Sequence, residues 1–228
     1  MPRQILSQDE IRYTLRPLLN LMTNEEGELC LRHTTVCHLR KRQHLYERGD
    51  MLRYLYVVHS GLMAEELKEG QLARIITDRG VLSPCAALTE TPAHNTVTAL
   101  QNATVVRMPV GVVLQVLQHN AALACWMTRQ MGTTLMRTEQ RLYSLTHKHL
   151  AGRLAETLLD LYRDFGTDEA GHLAAALTRK QMAALACMDT ANAIRTITSM
   201  ARDGILATDG RYITILDQGR LREISEKG

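Results

Sequence analysis

Residues 177–217 read LTRKQMAALACMDTANAIRTITSMARDGILATDGRYITILD, and this stretch decides the architecture. Thr178 can cap a helix through its side-chain oxygen, and that helix runs to about Ala186 with Met182, Leu185 and Ala186 inward. Cys187-Met188 makes a short break. Asp189 is a second N-cap candidate, opening a helix whose buried face is Ala193, Ile197 and Met200. Gly204 ends it, a residue suited to the left-handed conformation at a helix C-terminus. Two β-runs follow, ILAT and RYITIL, joined across Asp209-Gly210, a strong hairpin dipeptide. Two short helices, a tight turn and a hairpin make a winged helix-turn-helix, which lays its second helix in the major groove of DNA.

The second helix carries side chains fit for that task. Asn192, Arg195, Thr196 and Ser199 face away from the apolar positions, and an arginine can read guanine bidentately. Asp189 and Thr190 open the same helix and complete the candidate DNA-binding set. Arg179 and Lys180 start the first helix and Arg211 lies by the wing tip, where all three can meet phosphates. Across 178–215 there are five Lys or Arg and three Asp, so the electrostatic support is modest.

Outward from this stretch the texture changes twice. Residues 1–30 look helical, with Ile11, Leu15, Leu18 and Leu19 on one face. From about Thr35 to Pro109, short apolar runs end in turn signals at Gly49-Asp50, Gly61, Glu69-Gly70 and Gly80. That spacing suggests a sandwich or roll, with a simple series of hairpins as the other reading. After Pro109 the pattern turns helical. Met127, Met131, Leu135, Thr138 and Leu142 recur along one stripe, and a helix of roughly 30 residues extends about 45 Å. Such a seam wants a partner helix, so self-association is expected along it; a core helix inside a monomer is the alternative. His147-Lys148-His149 is the candidate hinge. The expected domains are therefore 1–110 (helix and roll, a sensor), 111–146 (long dimerisation helix) and 147–228 (DNA-binding).

Composition bounds the rest. The chain has 228 residues, a formal net charge of +3 and 22% charged residues, an ordinary globular balance. Five scattered cysteines argue against a disulfide framework and for a reducing compartment. No secretory signal and no span of roughly 20 apolar residues is found, so a cytoplasmic protein without a membrane partner is expected. No GxSxG, HExxH, GxxxxGK[ST] or paired CxxC occurs, and no enzyme is expected.

From about residue 35 onward the chain resembles the cyclic-AMP receptor protein/fumarate-nitrate regulator (Crp/Fnr) family of bacterial transcription factors. The resemblance rests on LYERGD…LYVVHSG, GRLAETLLDL and LTRKQMAALA…AIRTITSMARDGIL…GRYITI, in that order. It implies an α+β chain: an N-terminal cyclic-nucleotide-binding-like β-roll, a long dimerisation helix and a C-terminal winged helix-turn-helix. Homodimers on palindromic promoter DNA are implied, with RNA polymerase a further partner to consider.

Departures from the family pattern redirect the effector reading. Where cyclic-AMP-binding members carry Gly-Glu-Leu and an Arg-Ser/Thr pair, this chain has Gly80-Val81-Leu82 and Ala93-His94. A cyclic phosphate taken out of water needs a cation and donors. Thr138-Glu139 also replaces the family's Thr-Ser pair, putting a carboxylate where the purine would sit. Cyclic AMP is not the expected effector. The iron–sulfur branch needs closely spaced cysteines, and Cys30 and Cys37 with the scattered others do not supply that spacing. Haem stays open, since nine histidines offer ligands, yet no pair is singled out by spacing. No cofactor and no metal site are expected. Cys30, Cys37 and Cys85 are candidate redox-sensing thiols, with inert cysteine as the other reading. In the recognition helix the family's usual Arg or Val, Glu and later Arg read Thr190, Ala191 and Arg195, so the carboxylate that accepts from cytosine is absent and a different operator is expected. A second reading is an interaction module or anti-regulator that kept the fold and lost operator recognition.

Overall fold

The computed structural model describes residues 6–68 and 70–228, so residues 1–5 and Glu69, half of the expected Glu69-Gly70 turn, lie outside it. Two helices open the chain, α1 (Gln8–Leu19) and α2 (Asn24–His33). Each starts in a reciprocal capping box, Ser7 with Glu10 and Thr23 with Glu26, which satisfies two otherwise orphaned backbone donors.

Eight strands follow: β1 (Thr35–Leu39), β2 (His44–Tyr46), β3 (Tyr54–Ser60), β4 (Met63–Lys68), β5 (Gln71–Ile76), β6 (Val81–Leu82), β7 (Thr96–Ala99) and β8 (Ala103–Pro109). A short helix, α3 (Pro84–Leu88), separates β6 from β7. They form two four-stranded sheets, β1-β8-β3-β6 and β2-β7-β4-β5. In the first, β3 runs antiparallel to β8 with Leu55 opposite Met108 and Val57 opposite Val106. Tyr56 and Val58 point into a core with Met63, Leu82, Val97 and Val105 from both sheets. Leu55 and Val57 pack on the other face with Leu15, Leu18, Cys30 and Met108. Burial on both faces explains why YLYVV is a continuous apolar run instead of an alternating one.

The β3–β4 turn depends on Gly61. Its φ is +92°, and a Cβ there would lie 2.5 Å from the Asn102 carbonyl oxygen and 2.7 Å from Ala103 Cα. Backbone strain alone costs about 1–3 kcal/mol at such a position. Gly61→Ala should therefore lower the roll's stability by at least that much in urea unfolding; an unchanged midpoint would contradict the assignment.

The helical stretch expected from residue 111 as one element is two. α4 (Val110–His119) stops at Asn120, and α5 (Ala121–His147) leaves at a bend of 115°. Asn120 sits at φ −110°, ψ 95° and breaks the run without a proline. Its Oδ1 accepts from Leu123 N at 2.8 Å, while its Nδ2 donates to the Leu21 carbonyl at 2.9 Å and to Glu26 at 2.7 Å. The long helix is thus the 27 residues of α5. Among the described residues no single helix is long and apolar enough to cross a membrane.

The remaining elements are α6 (Leu150–Phe165), α7 (Arg179–Leu185), α8 (Thr190–Arg202), β9 (Leu206–Asp209), β10 (Tyr212–Ile215) and α9 (Gln218–Lys227). One compact unit ends at residue 135; the other begins at 136 and also takes in residues 70–72. In the second unit α6 buries Leu154, Ala155, Leu158 and Leu161. Gly152 lets α9 close on α6: a Cβ there would lie 2.8 Å from Gly228 Cα. At its other end, Arg220 donates to the Asp203 carbonyl at 2.8 Å, just past the end of α8.

Candidate nucleic-acid interface

Local chemistry sets the two helices of the DNA-binding motif. Thr178 and Gln181 form a capping box that starts α7. Asp189 caps α8, its Oδ1 accepting from Asn192 N at 2.7 Å. That backbone hydrogen bond holds the Asp189 carboxyl below the usual carboxylate range. Met182, Leu185, Ala186, Ala193, Ile197 and Met200 are all buried, so both helices present the apolar faces expected of them. Gly204, at φ +71°, ends the second helix as expected.

Between the helices Cys187 takes φ +50°, the left-handed region where a side chain is disfavoured. Arg141 on α5 partly holds this turn, donating to the Leu185 carbonyl at 2.8 Å and to Cys187 Sγ at 3.2 Å. Left-handed strain of roughly 1–2 kcal/mol exceeds the entropic cost of glycine, about 0.5–1 kcal/mol. Cys187→Gly should therefore raise the stability of this unit by up to ~1 kcal/mol in denaturant unfolding. A clear loss would mean that the Arg141–Sγ contact outweighs the strain.

The wing differs in one detail from the sequence reading. Asp209 pairs with Tyr212 in the ladder, so the two-residue turn is Gly210-Arg211. Gly210 supplies the positive φ, +55°.

At about 100° per residue, the buried triad Ala193, Ile197 and Met200 defines the far side of α8. Ala191, Arg195, Thr198 and Arg202 stand opposite it, all exposed, with Ile194 beside them at 46% exposure. Of the expected base-facing residues, Arg195 is central on this face. Asn192, Thr196 and Ser199 are half-buried along one flank, and Thr190 is half-buried in the first turn. Thr196 spends its hydroxyl on the Asn192 carbonyl at 2.9 Å. Ser199 accepts from Arg202 at 3.4 Å. Asn192 is engaged on both sides: its Nδ2 donates to Asp189, and its Oδ1 accepts from Arg195 Nη2 at 2.5 Å. A chain Asp189–Asn192–Arg195 thus fixes the guanidinium. Ala191 was singled out only for the carboxylate it lacks, and Ile194, Thr198 and Arg202 not at all, although the period of the buried triad places all four on this side.

The three candidate phosphate ligands are placed differently. Lys180 is exposed. Arg211 is exposed and lies over the Tyr212 ring, 5.2 Å from its centroid. Arg179 instead donates to the Gly210 carbonyl at 3.0 Å and to the Arg211 carbonyl at 3.4 Å, fastening α7 to the wing turn. Burial pushes its guanidinium below the ordinary arginine value.

On α5, Met127 is 3% exposed in the cluster that joins the outer face of β3 and β8 to the N-terminal helices, and Met131 packs against the same cluster. Met127 was expected on the self-association seam; its burial by Leu55, Val57 and the N-terminal helices removes it from that surface. Leu135, Thr138 and Leu142 are exposed, joined by Met136 and Tyr143. The five cysteines are free. Cys30 is fully buried and burial pushes its thiol up, against the needs of a reactive sensor. Cys37 is half-buried and Cys85 exposed.

Two family models match the chain in order. A cyclic nucleotide-binding domain model covers residues 36–120, and a Crp-like helix-turn-helix domain model covers 152–224. No curated protein matches the chain in sequence. Among solved structures it is similar to FixK2 from Bradyrhizobium japonicum, with a TM-score of 0.75, 20% identity, and 84% of this chain and 96% of that one covered. It is also similar to a CooA mutant from Carboxydothermus hydrogenoformans, with a TM-score of 0.75, 19% identity, and 93% and 95% covered. A third is the c-di-GMP responsive regulator CLP from Xanthomonas campestris, with a TM-score of 0.67, 16% identity, and 85% and 99% covered. A roll that matches the cyclic nucleotide-binding domain model, followed by a Crp-like helix-turn-helix domain, together more than half of its length, makes this protein a member of the Crp/Fnr family of transcription regulators.

Proposed function

We propose that the protein is a cytoplasmic homodimer that binds a palindromic promoter site sequence-specifically. Residues 1–110 serve as sensor, 111–146 carry dimerisation and 147–228 bind DNA. The observation that carries this reading is the exposed outward face of α8, with Arg195 held in place by Asn192 and Asp189. Arg195 takes the guanine-reading role, Ala191 and Ile194 suit thymine methyl groups, and Lys180 and Arg211 meet phosphates. Arg179 contributes by holding the wing. RNA polymerase is a further partner of the assembled complex.

The effector is not cyclic AMP in this reading, because Val81 and Ala93-His94 supply neither the carboxylate nor the cation that family members use. No cofactor is assigned.

Ala191 in place of a carboxylate gives the anti-regulator alternative its one specific support. Salt separates the two readings, since phosphate neutralisation makes DNA affinity fall steeply with ionic strength and a module that lost DNA shows no such slope.

The test is selection of genomic DNA fragments by the purified protein, with and without reductant, followed by sequencing. An enriched palindrome supports the reading. No enrichment in either condition points to a missing effector or to the interaction module.

A further inference from the structure

The interior of the roll holds a carboxylate with four donors on it. Glu65 on β4 is 7% exposed. Arg74 on β5 meets it bidentately, Nε to Oε2 at 3.2 Å and Nη2 to Oε1 at 3.1 Å. Ser83 gives Oε1 both its backbone N–H and its hydroxyl, each at 3.1 Å. Ser83 directly follows Gly80-Val81-Leu82 and sits at φ +39°, a conformation costly for a residue with a side chain. Asn95, 4% exposed and next to His94, donates to Ser83 Oγ at 2.9 Å.

A planar guanidinium fork with an N–H and a hydroxyl beside it is a receptor for an oxyanion. In a domain of the cyclic nucleotide-binding class, that is the chemistry a ligand's phosphate would need. Here the chain's own carboxylate consumes it. Without its partners Glu65 would be a buried unpaired charge, so the donors are committed. A free anion would have to displace a carboxylate whose effective concentration is set by covalent attachment, and would be repelled by it.

We propose that the roll is self-liganded: Glu65 fills the oxyanion shell of Arg74 and Ser83 from within and keeps free oxyanion ligands, cyclic nucleotides included, out of the roll. This goes beyond the operator-binding reading and is tested without DNA, so the failure of either leaves the other standing.

The experiment is thermal unfolding of the full chain in phosphate-free buffer, titrated with cyclic AMP or inorganic phosphate against chloride at matched ionic strength. Wild type should not respond. Glu65→Ala should unfold at a lower temperature, because Arg74 loses its counter-charge. Saturating phosphate should then raise its midpoint by roughly 3 °C or more. The double variant Glu65→Ala/Arg74→Ala should lose that gain. If Glu65→Ala does not fold without phosphate, phosphate must restore its folding for the proposal to stand. Saturable stabilisation of wild type by either anion overturns it. So does a Glu65→Ala response no larger than that of the double variant.

Discussion

Arg195→Ala should reduce affinity for the selected operator by roughly a hundredfold or more while leaving affinity for unrelated DNA nearly unchanged. One bidentate contact to guanine is worth about 1–3 kcal/mol of discrimination, and a dimer loses it in both half-sites. Arg195 is the only cation on the outward face before the last residue of α8, Arg202, so no neighbour takes over its role. Because the lost contact is to a base, the slope of log affinity against log salt should hardly move; Lys180→Ala should flatten it by about one unit. Asn192→Ala should act in the same direction as Arg195→Ala but less, since it frees the guanidinium without removing it. Fluorescence-anisotropy titrations of operator and scrambled duplexes measure all three. Unaltered operator affinity and sequence preference in Arg195→Ala would end the base-reading assignment.

If the proposed dimer forms along α5, Leu142→Glu should leave the protein monomeric and weaken operator binding by roughly 10²- to 10⁴-fold. Leu135, Met136, Leu142 and Tyr143 are exposed apolar side chains on α5. Leu142 is 63% exposed, so a charge there costs the isolated chain little and a packed helix pair a great deal. Two linked half-site contacts gain over one by effective concentration alone, which sets the size of the loss. Sedimentation velocity reads the first effect and anisotropy the second. A variant that stays dimeric moves the interface off α5. One that is monomeric yet binds the palindrome undiminished removes the need for two-fold symmetry.

Features held by contacts three or four residues apart were legible without the structure. Thr178 and Asp189 cap their helices, Gly204 ends α8, and the buried triad of α8 falls where the helical period puts it. The break at Cys187-Met188 was legible too, whereas the left-handed φ of Cys187 comes from the structure. The same local logic reaches the outward face of α8, where composition drew attention to polar Asn192 and Thr196 over exposed Ala191 and Thr198.

The tertiary structure decided everything that depends on residues far apart in the chain. Asn120 reads as an ordinary polar residue in a helical run until Leu21 and Glu26, about a hundred positions away, supply partners that make a break favourable. Met127 and Leu142 share one stripe, and only packing against the N-terminal helices and the outer face of β3 and β8 buries the first while the second stays exposed. Arg179 looks like a phosphate ligand, but the wing carbonyls brought back by the β9–β10 hairpin take its donors. Glu65 stands in the charged run EELKE with nothing nearby to mark it for burial, and the fold closes Arg74 and Ser83 around it. Local propensity is a sum over neighbours and can be read in order along the chain. Whether a charge is solvated or paired depends on which distant groups the fold brings within hydrogen-bonding distance.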